Sequence, residues 1–421
     1  MNRDERGGTP SPALALERRI PSLVAAWRAG SGLSPLSKAE IASTGAALLA
    51  LQRGLTGERG LAGARYMDEG GFLGAYLLYY WPVSYLETAL SLAELGLSPR
   101  RVLDLGSGPG PAAAAALDAS GGRADLVLAD GSRAALDVAQ RVLEAGPRAG
   151  DASEAGSSAY RELDLEDGAE ALGKALGVEA PFDLVILGHC VNELWREAPD
   201  RAERRLALLE AAADLLAPGG ALLVLEPALL ATSREALALR DALASRGHTV
   251  LGPCPRAAAG PYPCPALAAG PDRTCHSEAP WEPPEPVASL ARAAGLDRRS
   301  VKWTWFAASA LKGAGEADSC GICSPQNAVD AKAVTLTGRV VSDPMLNKAG
   351  RVRYVLCAGG RLATLSAPRD SGIARGSGFL ALARGDLVGV EGAEERAGGL
   401  GLREDSTLRI LARAPAIGGA R

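Results

Sequence analysis

Val102-Leu-Asp-Leu-Gly-Ser-Gly-Pro-Gly-Pro111 is a strand that ends in glycine. Its apolar first half suits a buried strand, and it runs directly into three glycines spaced by two, with an alanine-rich helix following at once. Asp104, Gly106, Gly108 and Gly110 read D-x-G-x-G-x-G. Glycine lets a backbone turn sharply at the carboxyl end of a strand and lie close against a ligand, while the next helix offers free N–H groups at its amino terminus. The stretch reads as a nucleotide-binding turn.

Strands and helices alternate outward from it, the pattern of a parallel sheet. Arg101 to Leu105 is the first strand, and a helix runs from Pro111 through Asp118. Asp125-Leu-Val-Leu-Ala-Asp130 is the second, a loop-like Gly/Ala/Ser span covers Ala145 to Ser158, and Tyr160 to Leu165 is the third. Phe182 to Gly188 is the fourth, and Gly220 to Glu226 the fifth, behind a Pro218-Gly219-Gly220 turn and ahead of a helix over Thr232 to Arg246. The glycine spacing is tighter than G-x-G-x-x-G and resembles the first motif of class I S-adenosylmethionine (SAM) methyltransferases. That resemblance implies a Rossmann-like α/β fold with Asp104, Gly106, Gly108 and Gly110 in the cofactor turn. Asp130, twenty-six residues after Asp104, is spaced to grip ribose hydroxyls, and Asp164 would lie near the adenine.

In an open α/β sheet, chemistry sits at the carboxyl ends of the strands. After the fourth strand comes Gly188-His-Cys-Val-Asn-Glu-Leu194, which makes His189, Asn192 and Glu193 the polar groups facing a methyl acceptor. A capped helix start would explain Asn192 and Glu193 equally well. No N-P-P-[FY] clamp for an exocyclic amine is present, and Cys190 lacks the proline and second cysteine of a cytosine-C5 nucleophile, which favours a small buried residue there. Methyl transfer needs chiefly alignment, because the sulfonium already activates the methyl group.

At 421 residues with 47% hydrophobic content, the chain can bury a large core and should divide into two or three domains. Residues 1–98 form a helical amino-terminal region. Within it, Ala75 to Tyr85 is rich in aromatics, Pro82 should interrupt a helix, and a buried joint between helices is favoured over a substrate-facing wall. Residues 99–312 hold the methyltransferase-like domain with a cysteine-rich insertion at 251–285. It closes with a helix over Pro286 to Gly295 and a strand over Val301 to Ser309, whose Trp303 and Trp305 share one face. A linker at 313–332 precedes a module at 333–415 of short β-runs (Val334 to Val341, Arg353 to Cys357, Arg361 to Ser366, Asp386 to Glu391), which suggests a small barrel of the oligonucleotide-binding sort. From residue 331 onward, fourteen Lys+Arg against eight Asp+Glu give +6, leaving −10 for the rest of a chain whose net charge is −4. Arg339, Lys348, Arg351, Arg353, Arg361, Arg369, Arg375 and Arg384 make phosphate contact a reasonable expectation there, with a merely solvated basic surface as the alternative. The charged Met1-Asn-Arg-Asp-Glu-Arg start leads into no apolar segment of signal or membrane length, so a cytoplasmic monomer with no membrane partner is expected.

The seven cysteines are uneven, with five between residues 254 and 323. Cys254-Pro, Cys264-Pro and Cys275-His276 lie on a Pro/Gly/Ala loop that has no hydrophobic periodicity to hold it. A bound cluster would cross-link such a loop, zinc with His276 would also serve, and loose surface cysteines are the bland alternative. The cysteine run, the Asp104 to Gly110 turn, Val191-Asn-Glu-Leu194, Glu226-Pro227 and Tyr79-Tyr-Trp-Pro-Val-Ser-Tyr85 together resemble one family. It is the methyltransferase-like family of mitochondrial small-ribosomal-subunit assembly factors (the methyltransferase-like protein seventeen group) and its bacterial homologues, over roughly residues 70 to 390. The resemblance implies a SAM-fold protein with a four-iron four-sulfur cluster on Cys254, Cys264, Cys275 and a fourth cysteine. It also implies association with small-subunit ribosomal RNA. Cys357, ending a short strand, is preferred as fourth ligand over the Cys320-Gly-Ile-Cys323 pair in the linker. Three functions stay open: an rRNA methyltransferase, an assembly factor that transfers no methyl group, and a small-molecule methyltransferase with structural zinc.

Overall fold

Helices α1 (Pro12–Trp27) and α2 (Lys38–Gln52) begin at capped ends, Ser11 accepting from Leu14 N and Ser37 forming a capping box with Glu40. In the computed structural model, residues 10–28, 35–54, 70–147, 155–254, 264–296, 300–309, 334–342, 344–347, 349–358, 361–396 and 399–412 are described. A third rod combines α3 (Gly70–Ala75), a π-turn (Tyr76–Tyr80) and α4 (Trp81–Leu95). Pro82 was expected to interrupt the helix, and it does not. The widened turn ends with Trp81 N–H on the Tyr76 carbonyl, so the proline enters the second position of the regular helix, where its missing N–H costs little.

The sheet then assembles from β1 (Arg101–Leu105), α5 (Pro111–Ala119), β2 (Asp125–Asp130), α6 (Arg133–Glu144), β3 (Ser158–Glu162), α7 (Ala169–Leu176), β4 (Phe182–Gly188), α8 (Arg201–Asp214), β5 (Leu216–Pro227), α9 (Leu230–Ser245), β6 (Val250–Gly252), α10 (Pro265–Ala268), β7 (Ser277–Pro280), α11 (Val287–Ala293) and β8 (Ser300–Ser309). Its order is β3-β2-β1-β4-β5-β8-β6, with β7 paired to β8. β1 to β5 are parallel, and β8 runs antiparallel between β5 and β6. A reversed strand inserted at this place is the topology of the class I methyltransferase fold. Both faces are covered, one by the amino-terminal helices with α5 and α6, the other by α7, α8 and α9. The central strands can therefore be almost wholly apolar.

Two strand boundaries depart from expectation. The third strand ends at Glu162, because Asp164 starts a 3-10 turn over Leu165–Asp167. The fifth begins at Leu216, and the Pro218-Gly219-Gly220 turn is an irregularity within it, with Phe182 opposite Leu216 but Leu184 opposite Ala221. Trp303 and Trp305 are buried, their indole N–H groups donating to Ser91 Oγ and Ser277 Oγ.

The carboxy-terminal module comprises β9 (Val334–Val340), β10 (Met345–Leu346), β11 (Arg351–Ala358), β12 (Arg361–Pro368), α12 (Gly372–Gly376), β13 (Leu387–Arg396), β14 (Gly399–Gly401) and β15 (Thr407–Ala412). β9 pairs β11, β11 pairs β12, β12 pairs β14 in parallel, β14 pairs β13 and β13 returns to β9. The ring closes as a five-stranded barrel with a helix between its third and fourth strands, the arrangement of an oligonucleotide-binding fold. Its core is sealed by Tyr354 and Phe379, edge to face at 5.2 Å. No helix among the described residues is long and apolar enough to cross a membrane.

Candidate functional site

All three turn glycines have positive φ, 65° at Gly106, 52° at Gly108 and 75° at Gly110. Gly106 N and Ser107 N donate to the Ala129 carbonyl at 2.8 and 3.1 Å, which folds the turn over the end of β2. Asp104 is buried and accepts from Ala113 N at 3.0 Å, so it caps α5 from below; burial pushes its carboxyl up to about 8. Asp130 accepts from Gly108 N and Ser132 N, each at 2.8 Å, which ties the first turn to the second. Asp164 is exposed, accepts from Glu166 N at 2.9 Å and lies against Gly131, beside Asp130. The Ser107 hydroxyl, in the middle of the turn, is buried without a hydrogen-bond partner. A group in that position needs an acceptor or donor from a ligand or water.

The aromatic segment does more than join helices. Trp81 Nε1 donates to the Pro109 carbonyl at 3.0 Å, and the Tyr76 hydroxyl lies 4.0 Å from where a Cβ on Gly108 would stand. Burial and the charges of Glu193, Asp130, Asp104 and Glu87 push the Tyr76 phenol up, which puts it among the carboxyl groups of the site. The π-turn thus roofs the glycine turn.

Across from it, the β4 loop is held at several points. His189 (φ 62°) and Trp195 (φ 48°) are both left-handed, a conformation that non-glycine residues seldom adopt. His189 N donates to the Leu225 carbonyl at 2.8 Å. Glu226, buried at the end of β5, accepts from Asn192 N at 2.9 Å and from Asn192 Nδ2 at 2.6 Å. Arg205 donates to the Asn192 and Leu194 carbonyls, and Trp195 N to Glu166 Oε1. His189 Nε2 stands 2.8 Å from Glu87 Oε2, off the N–H axis, as an ion pair more than an aligned hydrogen bond. Asn192 is therefore a strut, while His189 and Glu193 remain toward the site. Cys190 fills the space behind Gly106, where a Cβ would meet its Sγ at 2.8 Å, and it donates to the Leu105 carbonyl. Burial raises its thiol well above the ordinary range, which disfavours the thiolate that a nucleophile would need. Glu87 was not singled out from sequence, and Glu226 entered only with Pro227 as part of the family resemblance.

The cysteines form a second locus. Cys254, Cys264, Cys275 and Cys357 line one cavity between the sheet and the barrel, with Arg240 and Arg384 also on its wall. Burial, then the neighbouring Cys254 and Cys264, pushes the Cys275 thiol up to about 12, and Cys357 is raised by its hydrogen bond with Cys254. Among the described residues, no group of three or more His, Cys, Asp or Glu side chains is gathered as a metal-holding cluster. Cys320 and Cys323 lie outside the described residues. Of the basic side chains in the module, Arg339 is half-buried against Glu94 and Arg351 bonds Ser366, whereas Arg353, Arg369 and Arg375 are exposed, the last bonded to Asp370. Lys348 and the Arg361 side chain lie outside the described residues.

Among solved structures, a SAM-dependent methyltransferase from Agrobacterium tumefaciens is similar at 18% identity over 38% of this chain and 49% of its own, with a TM-score of 0.27. NSun6 from Pyrococcus horikoshii with SFG is similar at 12% over 54% and 52%, TM-score 0.35. The plantazolicin methyltransferase BpumL in complex with SAH is similar at 10% over 65% and 98%, TM-score 0.30. The chain thus spans about half the length of the first two. These likenesses are distant, and the fold assignment rests on the strand order above. No curated protein matches the chain. A family model described as mitochondrial small ribosomal subunit Rsm22 matches residues 75–361, more than half of the 421 residues, and the chain belongs to that family.

Proposed function

We propose that the chain binds SAM at the Asp104 to Gly110 turn and acts on small-subunit ribosomal RNA or the assembling small subunit as a methyltransferase, in the cytoplasm. The observation that carries the reading is the turn itself. Three left-handed glycines, an unpartnered buried Ser107 hydroxyl and a tyrosine roof enclose one place, and the polar β4 loop faces it. An amino-acid cofactor with a positive sulfonium suits a site ringed by Glu87, Asp130 and Glu193. Family membership supports the ribosomal partner, and the exposed Arg353 on the outer face of β11 suits a phosphate backbone.

The finer part of the proposal is a cluster on Cys254, Cys264, Cys275 and Cys357, with four irons and four sulfides. Four thiols opening on one cavity, with guanidinium groups of Arg240 and Arg384 to offset thiolate charge, fit such a group. When bound, it would cross-link the insertion to the barrel; the protein supplies the ligands and a covered cavity.

Anaerobically purified protein should be brown, and Cys357→Ser should lose most of its iron and visible absorbance. A colourless wild type with stoichiometric zinc would remove the cluster. For function, SAM with a labelled methyl group incubated with immature small-subunit particles should label the RNA. Tight SAM and RNA binding without label would instead identify an assembly factor that transfers nothing.

A further inference from the structure

We propose that Glu87 and His189 form the proton-accepting pair of the acceptor site, and that the acceptor is a neutral nitrogen still bearing a proton when it attacks the methyl group. The inference rests on the methyl-transfer reading above and deepens it. His189 begins the loop at the carboxyl end of β4, Cys190 after it packs directly on Gly106, and Glu87, which faces the imidazole, also acts on Tyr76 above Gly108, so the loop and its ion pair lie beside the glycine turn. The left-handed backbone of His189 is held by the Leu225 carbonyl, and its Nε2 faces a carboxylate from a different element, α4. Glu87 is 3% exposed, so its charge is poorly screened and favours a protonated imidazole on His189, whose side chain keeps 24% exposure. Nε2 is on the Glu87 side of the ring, and Nδ1, which makes no hydrogen bond among the described residues, is the nitrogen assigned to the acceptor.

A pair of this kind is idle for a ring nitrogen with a free lone pair, which needs no base. It is also out of place for covalent carbon methylation, because Cys190 is committed to the Leu105 carbonyl. It suits an N–H nucleophile. The nitrogen lone pair forms the N–C bond as the C–S bond breaks, its electrons go to sulfur to give a neutral thioether, and the proton left on nitrogen passes to His189 Nδ1. The imidazolium so formed is stabilised by Glu87, with Glu226 from β5 and Glu193 from the same loop also facing it. These carboxylates raise the His189 pKa despite burial, so the base form appears only above the ordinary histidine range. Glu87 is a positioning residue and His189 the catalytic one.

The chain has three histidines, so imidazole NMR on the full-length protein can follow His189 alone after assignment with His189→Gln. Its titration should lie above the ordinary value and fall in Glu87→Gln. With methyl-labelled SAM and deproteinised small-subunit ribosomal RNA from cells lacking the protein, the wild-type rate should rise with pH through that same value. In Glu87→Gln the limb should move to lower pH by the NMR shift, with the plateau down by about 100-fold. SAM affinity, measured on each variant, reports whether the fold survives; Glu87→Asp, which keeps the charge, should restore part of the rate. Label on RNA whose pH limb ignores Glu87→Gln overturns the pair, and label recovered on carbon or oxygen overturns the acceptor class. No label from wild type that binds SAM overturns the methyl-transfer reading itself, a different result from either.

Discussion

Glu226 closes a central strand with both carboxylate oxygens given to one residue, Asn192. Burial raises it to about 7, and Asp104 under the glycine turn to about 8. The sign follows from linkage. An acid whose folded pKa lies above its unfolded value favours the fold fully below the unfolded value, and that contribution is lost as pH rises through the folded one. Stability should therefore decline between about pH 4.5 and pH 8, and Glu226→Gln should flatten the part below pH 7. Urea unfolding across that range reads it; equal slopes in variant and wild type would show that Glu226 is not the source. The glycine turn was legible because residue type alone encodes the requirement for positive φ. Glu87 was not, because it reads as an ordinary helix residue until the fold sets it against a loop 102 positions away; Glu226 was legible as a strand end, but its bond to Asn192, 34 positions away, was not.

The rod of α3, the π-turn and α4 touches each of these parts: Tyr76 and Trp81 reach the glycine turn, Glu87 the β4 loop, Ser91 strand β8 through Trp303, and Glu94 the barrel through Arg339. Its seat on α1 and α5 is a triad in which Arg19 and Tyr85 are buried and Asp118 is partly exposed. Arg19 donates twice to Asp118, each at 2.6 Å, and the Tyr85 hydroxyl donates to the same carboxylate. Arg19 is fully buried, so Asp118→Ala would leave a guanidinium uncompensated and should cost about 3 kcal/mol, read as a lower urea midpoint. Arg19→Met with Asp118→Ala should recover much of it, since the buried charge is gone. A double variant as unstable as the single would mean the loss comes from Asp118 packing. Sequence pattern identified these helices but misjudged Pro82, because a π-turn depends on hydrogen-bond register that hydrophobic spacing does not record.

At the scale of the molecule, one arginine docks the barrel. Arg339 on β9 pairs with Glu94 at 2.8 Å and donates to the Pro253 carbonyl at 2.8 Å and the Gly385 carbonyl at 2.6 Å. Counted by charge alone it belonged with the phosphate contacts, but its guanidinium is committed to partners within the protein. It stands opposite Cys357 in the β9–β11 register and reaches the residue before Cys254, so the same side chain links the neighbourhoods of both cysteines. Glu94 is raised to about 7 by burial, against the opposing charge of Arg339, so its carboxylate depends on that partner. Arg339→Ala should therefore loosen the barrel, whose own closed strand ring and Tyr354–Phe379 core keep it folded. Small-angle scattering should show a larger radius of gyration with unchanged circular dichroism in the far ultraviolet. Adding Glu94→Gln should change the radius little, because without Arg339 the buried Glu94 carboxyl already takes up a proton near neutral pH. If the radius stays at the wild-type value in Arg339→Ala, the barrel is held by the cysteine cavity alone. Cys357→Ser would then be the variant that releases it.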